Sequence, residues 1–265
     1  MTNSNTNFKA AISSEIFTVI SKASKLLSID SYVIGGFVRD FFLKRGTAKD
    51  IDIVAIGSGI ELAEKVARLL PNKPKVQVFK TYGTAMLRYK DVEVEFVGAR
   101  KESYTEDSRN PAVIEGTLED DQNRRDFTIN ALALSLNETD YGELLDPFQG
   151  IKALEGKIIK TPLNPDVTYS DDPLRMMRAI RFSSQLNFTI EEESLLAISR
   201  NAHRLKIITL ERVIDELNKI IASPKPSIGF LLLEQTGLLS EILPELIALK
   251  AVSYTHLTLP TNREV

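Results

Sequence analysis

The sequence predicts an α+β protein, with a mixed β-sheet carrying helices on one side over residues 1–150 and an all-helical region over 151–250. Two observations carry this. The N-terminal part runs helix, strand, helix, strand, helix and then three closely spaced strand-like segments, whereas apolar spacing after Pro147 is helical throughout. Turn residues punctuate the first part at Gly35-Gly36, Gly57, Gly59 and Pro71.

Each element can be justified in order. Ile16, Val19, Ile20, Ala23 and Leu27 recur at helical spacing, giving a helix from about Ser13 to Leu27. The short run YVI reads as a strand that meets Gly35-Gly36, and FVRDFFL reads as the following helix. DIDIVAI alternates as a half-buried strand does, and ELAEKVARLL returns to helical spacing before Pro71. KVQVF, TAMLRY and VEVEFVGAR are strand-like. From Lys101 to Arg125 the pattern dissolves into a polar stretch, which is expected to be a mobile loop. DFTINALALSL restores apolar periodicity, and helices are then expected over DPLRMMRAIRFSSQL, IEEESLLAISRNA, LERVIDELNKIIA and IGFLLLEQTGLL. Thr189 with Glu192 suggests a capping box for the second of these. The last stretch, over residues 251–265, drops the helical pattern and resembles an out-of-frame or adapter-derived tail, so it is expected to be non-native and the helical region truncated.

Composition excludes several classes of chemistry. The chain has 265 residues, 43% hydrophobic and 26% charged, as ordinary globular proteins do. With no cysteine there are no disulfides or thiolate metal sites, and His203 and His256 lie too far apart in sequence to suggest zinc. No apolar run approaches the ~20 residues that span a bilayer, and MTNSNTNFK lacks a signal peptide's apolar segment, so no membrane partner and a cytoplasmic location are expected. The formal net charge of -3 provides no global field for nucleic acid, so any RNA contact must use a local basic surface.

Asp50 and Asp52 lie two apart in a strand and therefore project to one side, with Ile51 and Ile53 facing the core. Carboxylates so close repel unless a cation lies between them, and hard oxygen ligands of this kind suit Mg²⁺ together with substrate phosphates. A lone DxD is more often a solvated strand face. Upstream, Gly35 and Gly36 would let backbone N–H groups approach phosphate at a helix start, next to Arg39 and Asp40, although a Gly-Gly pair alone is more often only a turn. Glu95 could join the acids from a neighbouring strand, or be an exposed strand residue like Glu93 on the same face.

IGGFVRDFFL followed by KDIDIV resembles the first motif of the class II tRNA nucleotidyltransferase and bacterial poly(A) polymerase family, within the DNA polymerase β superfamily. The resemblance continues through RRDFTINALAL, SDDPLRMMRAIRF and LERVIDELNKII, and covers roughly residues 30 to 245. It implies a catalytic head domain over 1–150 and a helical neck and body over 151–250, with template-independent addition of C and A to the tRNA 3′ end from CTP and ATP. In-line attack of the RNA 3′-hydroxyl on the α-phosphate would release pyrophosphate. Asp50 and Asp52 would hold a two-metal Mg²⁺ site; Glu95, from its place on the strand rather than from the resemblance, is the further candidate catalytic acid. Gly35, Gly36, Arg39 and Arg125 would contact the nucleotide, and Asp126 would be a ribose-side or structural group. A poly(A) polymerase, a CC- or A-adding enzyme and a non-catalytic nucleotide- or RNA-binding fragment share these motifs. The absence of a long basic extension leans toward tRNA.

Asp172, Arg175, Arg178 and Arg181 recur every three residues, so successive members are neighbours along one helical stripe. Taken alone, Asp172-Pro173 reads as a helix start and the arginines as a solvated face. A carboxylate acceptor beside a guanidinium donor, however, matches the amino-donor and ring-nitrogen-acceptor edge shared by cytosine and adenine. Uracil and guanine present the opposite pattern and would leave polar groups unpaired. The resemblance implies this base-reading role for Asp172 and Arg175 and nucleotide or phosphate contacts for Arg178 and Arg181. The chain has Asp171-Asp172 where the family most often has Glu-Asp, and the base-reading Asp is retained.

Overall fold

The structure is a computed structural model that describes residues 7–46, 49–105 and 108–249. The chain forms two compact units, the first ending at Leu163 and the second made of the residues from Asn164 on together with the short segment ending at Arg109. The first unit therefore extends past the boundary expected at residue 150.

The first unit opens with helix α1 (Glu15–Leu27), strand β1 (Ser31–Ile34), helix α2 (Gly36–Phe42), strand β2 (Asp50–Ala55) and helix α3 (Gly59–Leu69). Strands β3 (Val76–Phe79), β4 (Thr84–Tyr89) and β5 (Val92–Gly98) follow, and later come β8 (Ala133–Ser135) and β9 (Leu144–Leu145), with β6, β7 and helix α4 between them. Seven strands make one sheet in the order β3-β4-β5-β2-β1-β8-β9. Only β2 and β5 run parallel; the other pairs are antiparallel, so the sheet is mixed. The parallel pairing requires a long crossover, which α3, β3 and β4 supply.

Helices α1 and α3 pack on each other and on this sheet. They bury Ile16, Phe17, Ile20 and Ala23 from the first, and Leu62, Ala63, Val66 and Ala67 from the second. β2 obeys period-2 alternation at its start: Ile51 and Ile53 are buried while Asp50 is exposed and Asp52 half-buried. Ile34 lies opposite Asp52 in the β1–β2 ladder, and with Val54, Ala99 and Ala133 it forms a smaller apolar cluster joined by Leu118. The acids thus rise from a strand pinned by core contacts on both sides.

The expected loop over Lys101 to Arg125 is replaced by regular structure. Strands β6 (Arg100–Thr105) and β7 (Ser108–Glu115) pair with each other, and helix α4 spans Leu118–Asn123. A capping box starts α4: Thr117 accepts from the Asp120 N–H, and the Asp120 carboxylate accepts from the Thr117 N–H at 2.9 Å. Helix α5 (Gly150–Gly156) carries the unit beyond residue 150. A side chain at Gly150 would fall 2.5 Å from the Thr128 carbonyl oxygen, so only glycine permits this close packing.

The second unit is helical: α6 (Pro165–Asp171), α7 (Leu174–Leu186), α8 (Glu192–Asn201), α9 (Leu210–Ile221), α10 (Pro226–Gln235) and α11 (Leu238–Ile242). α7 supplies its central rod, burying Met176, Met177, Ala179, Ile180 and Phe182, and packs against α9 and α10. The capping box suggested at Thr189 is not formed. Thr189–Ile190 are extended and Glu191 is the N-cap of α8, without a side-chain capping bond. The segment over 251–265, expected to be non-native, lies outside the described residues. No helix of the described residues is long and apolar enough to cross a membrane.

Because Ile53 is fully buried beneath the acidic pair, Ile53→Ala should cost about 2–5 kcal/mol of folding stability in urea denaturation. Asp50→Ala, at an exposed position of the same strand, should change it by about 0.5 kcal/mol or less.

Candidate active site

The site forms where β1 ends and α2 begins. Gly35 has φ +84°, in the region that disfavours side chains, and its N–H donates to the Leu132 carbonyl at 3.1 Å. A Cβ on Gly35 would lie 3.1 Å from Arg125 Nη1 and 3.5 Å from Asp52 Oδ2. One on Gly36 would lie 3.4 Å from Arg39 Nη2. Each glycine therefore lies against a guanidinium, and the Asp52 carboxylate closes on the same turn. The expected juxtaposition of Gly35, Gly36, Arg39, Asp52 and Arg125 is present, with Asp50 two residues away on the same face of β2.

Asn130 and Asp121, which the sequence reading did not single out, join Asp40 in holding the two arginines. Arg39 donates to both oxygens of Asp40, each at 2.9 Å, and to Asn130 Oδ1 at 2.6 Å. Asn130 donates in turn to Asp126 Oδ1 at 2.9 Å, which also accepts from the Phe127 N–H. Asp126, expected to be a ribose-side or structural group, is buried and holds Asn130 in place through these bonds. Arg125 donates through Nε and Nη2 to Asp121 Oδ2, at 3.1 and 2.9 Å. Arg124 bonds to Asp121 Oδ1, so one fully buried carboxylate orients two guanidiniums. Burial alone would push the Asp121 carboxyl up, but the adjacent arginines outweigh it and hold it below the usual aspartate range. Signals were available: Asp121 stands three and four residues before Arg124 and Arg125, which is helical ion-pair spacing.

Asp52 is shifted the other way. Burial raises its pKa first, Arg125 opposes that, and the like charges of Asp50 and Asp121 raise it further, leaving it above the usual aspartate range. Glu95 stands directly opposite Asp52 in the parallel β2–β5 ladder, and Glu93 opposite Asp50. Burial, together with the Asp52 charge, also raises Glu95, against the lowering effects of Thr84 and Arg100. Among the described residues no group of three or more His, Cys, Asp or Glu side chains could hold a metal. Asp50 and Asp52 would therefore be a two-carboxylate set that needs further ligands from substrate, as Mg²⁺ sites at phosphates commonly do. The crowding of negative charge around Asp52 is relieved by a cation, so the residues present fit one.

In the second unit, Asp172 lies between α6 and α7. Its Oδ1 accepts from the Leu174 N–H at 3.2 Å, so the helix-start role is real. Arg175 Nη1 donates to the Thr168 carbonyl at 3.4 Å. Asp172, Arg175 and Arg178 are all half-buried, unlike a solvated face. Arg181 differs from its expected place at the nucleotide. It is buried, ion-paired with Glu216 of α9 at 2.9 Å, and lies over the Phe182 ring at 4.4 Å.

Two measurements test these electrostatics. Asp52→Asn should stabilise the metal-free protein, because the folded state holds a carboxylate whose charge it disfavours. With a raised folded pKa, the wild type loses stability as pH rises from the ordinary aspartate value through the Asp52 pKa. The gain should be absent below that window and complete above it, read as a melting-temperature rise of about 2–4 °C per kcal/mol in EDTA. Asp121→Asn should cost about 3 kcal/mol near neutral pH, since it leaves two guanidiniums without their carboxylate. That cost should shrink on acidification, as wild-type Asp121 itself protonates; a flat profile would contradict the assignment.

Comparisons with known proteins agree with this geometry. The family described as poly A polymerase head domain matches residues 31–160, and the probable RNA and SrmB-binding site of polymerase A matches residues 187–250. A CCA-adding enzyme of Anoxybacillus flavithermus is 38% identical over 223 residues, covering 83% of this chain and 53% of that protein. An A-adding tRNA nucleotidyltransferase of Aquifex aeolicus is 40% identical over 189 residues, covering 71% of this chain and 22% of its own length. Among solved structures, the Thermotoga maritima CCA-adding enzyme complexed with tRNA superposes with a TM-score of 0.76 at 30% identity, over 89% of this chain and 55% of that one. The chain spans about half the length of the CCA-adding relatives it matches. With a glycine turn, an acidic strand and an arginine-bearing helix in the same order as its sequence motifs, the chain belongs to the tRNA nucleotidyltransferase and poly(A) polymerase family.

Proposed function

We propose that this chain transfers nucleotides without a template to the 3′ end of tRNA, adding C and A from CTP and ATP and releasing pyrophosphate. The observation that carries the reading is the Asp52 carboxylate lying against the Gly35 turn beside the Arg125 guanidinium. Gly35 and Gly36 leave room for a triphosphate to approach the backbone. Arg39 and Arg125, oriented by Asp40 with Asn130 and by Asp121, supply fixed positive charge to its oxygens. Preorganised guanidiniums need no reorientation as charge develops on the leaving group.

Asp50 and Asp52 would hold Mg²⁺. When bound there, Mg²⁺ would lower the pKa of the RNA 3′-hydroxyl and neutralise charge on the triphosphate. Glu95, opposite Asp52, adds negative field on the same part of the sheet and helps retain the cations. In the second unit, Asp172 and Arg175 read the Watson–Crick edge of C or A, and Arg178 contacts the nucleotide. Arg181 is assigned a positioning role: its pair with Glu216 fixes α7, from which Arg175 and Arg178 project.

A second reading, addition of A alone, is favoured by the 40% identity to the Aquifex aeolicus A-adding enzyme. Extension of a 3′-trimmed tRNA with each nucleotide separately discriminates the two. CCA addition gives product with CTP alone on tRNA lacking all three nucleotides, whereas A addition requires a CC end and uses only ATP. A poly(A) polymerase would lengthen products indefinitely with ATP. Asp50→Ala and Asp52→Ala should each lower kcat by about 10³-fold or more, the loss of several kcal/mol of charge stabilisation. Asp172→Ala should reduce discrimination against UTP and GTP by about 10- to 100-fold. Unchanged turnover in the first pair would remove the metal assignment.

A further inference from the structure

Both groups assigned to base reading are anchored on one short helix. α6 has seven residues and Asp172 is its C-cap, so the Asp172 backbone continues directly from it. The Thr168 carbonyl of α6 accepts from the Asp172 N–H at 3.5 Å and from Arg175 Nη1 at 3.4 Å. A single peptide oxygen therefore refers the carboxylate and the guanidinium to the same turn. A tilt of α6 carries Asp172 with it and draws on the Arg175 guanidinium, whose backbone stays on α7. The spacing within the pair follows α6.

Such a helix does not hold its place unaided. Two turns are marginal without tertiary contacts, and α6 buries only Thr168 and Tyr169 while Val167 is exposed. Polar contacts at both of its ends come from one stretch of chain, the end of α8 and the 3₁₀ turns over Ala202–Ile207 that follow. At the first turn of α6, the Arg200 fork donates to both oxygens of Asp166, through Nε at 3.0 Å and Nη2 at 2.6 Å. Asn201 Nδ2 donates to Asp166 Oδ1 at 2.9 Å. At the last turn, Arg204 Nη2 donates to the Ser170 carbonyl at 3.2 Å. An acid at the start of α6 and a guanidinium at its end also match the helix dipole. Glu193 accepts from Arg200 Nη2 at 2.6 Å and ties the fork to its own helix. Ion pairs as exposed as this one add little to folding stability, but a bidentate fork fixes direction. The clamp serves geometry.

We propose that Arg200, Asn201 and Arg204 are positioning residues for nucleotide selection: gripping α6 at both ends, they set the separation of the Asp172 carboxylate from the Arg175 guanidinium, and with it the preference for C and A. This rests on the base-reading roles given to Asp172 and Arg175 above. A donor and an acceptor must be held within roughly 0.5 Å to recognise one base edge and reject another. The effect of the clamp reaches the base through the Thr168 carbonyl and the Asp172 backbone.

The test uses the full 265-residue chain with Mg²⁺ and no RNA, so that it needs no turnover. Binding of CTP and of UTP is measured by titration calorimetry for the wild type, Arg200→Ala, Arg204→Ala, their double variant, Arg200→Lys and Asp172→Ala, each checked by its melting profile. Arg200→Ala, at an exposed position, carries the test alone if Arg204→Ala unfolds. The wild type should prefer CTP, and Asp172→Ala should lose that preference. The double variant should bind CTP about 10-fold more weakly and UTP as before, with a smaller loss in Arg200→Ala and most of the preference kept in Arg200→Lys. Wild-type preference in the folded clamp variants, with Asp172→Ala deficient, overturns the proposal and leaves base reading standing. Equal weakening of CTP and UTP also overturns it, being the mark of a general structural defect. No preference in the wild type, or one that survives Asp172→Ala, overturns the base-reading roles and the proposal with them.

Discussion

A carboxylate kept in an unfavourable place organises the head of this protein. Asp52 is half-buried beside Asp50, above Ile51 and Ile53, where its charge is disfavoured by lost hydration before any neighbour is counted. The fold tolerates it because Arg125 stands alongside, and Arg125 can stand there only because Gly35 has no side chain and Asp121 holds the guanidinium from behind. Each member makes sense only with the others. A side chain at residue 35 would strain a positive φ and crowd both charged groups at once. A cation seated against Asp50 and Asp52 would relieve that cost.

The helical unit uses the opposite arrangement, a buried pair that is satisfied. Arg181 and Glu216 join α7 to α9, with Phe182 beneath the guanidinium and Lys219 also donating to Glu216. Buried pairs of this kind contribute more to geometry than to net stability, because desolvation offsets most of their attraction. Here the geometry they fix is that of α7, which presents Arg175 and Arg178 half-buried and Asp172 at its start. At Asp172 the capping bond is compatible with the proposed recognition role. A carboxylate whose Oδ1 is already held by the Leu174 N–H has a defined direction.

Much of this was legible in the sequence where a pattern was both local and periodic. The alternation DIDIV gave the acidic face, and the paired glycines before FVRDFF gave the turn. The sequence could not show which strands flank β2, since β5 reaches it only through a crossover, and so Glu95 could not be separated from Glu93 as the partner of Asp52. The stretch Lys101 to Arg125 was misread because polar composition was weighed above spacing. Its capping box at Thr117 and Asp120, and the ion-pair spacing of Asp121 with Arg124 and Arg125, were written in the same residues. Arg181 was misplaced for a different reason. A stripe of arginines every three residues rotates slowly around a helix, and its last member turned into the α7–α9 interface, where only long-range packing decides the environment.

The order of strands also governs when the site can exist during synthesis. β1 pairs with β8, about a hundred residues later in the chain, and the guanidinium beside Gly35 belongs to Arg125. A ribosome that has released the glycine turn and both aspartates has released only loose ends. The corner around Gly35 assembles after residues 121 to 135 emerge, since these supply Asp121, Arg125, Asn130 and the strand that closes on β1. Such distant pairings slow folding, because loop closure must precede the contacts that reward it.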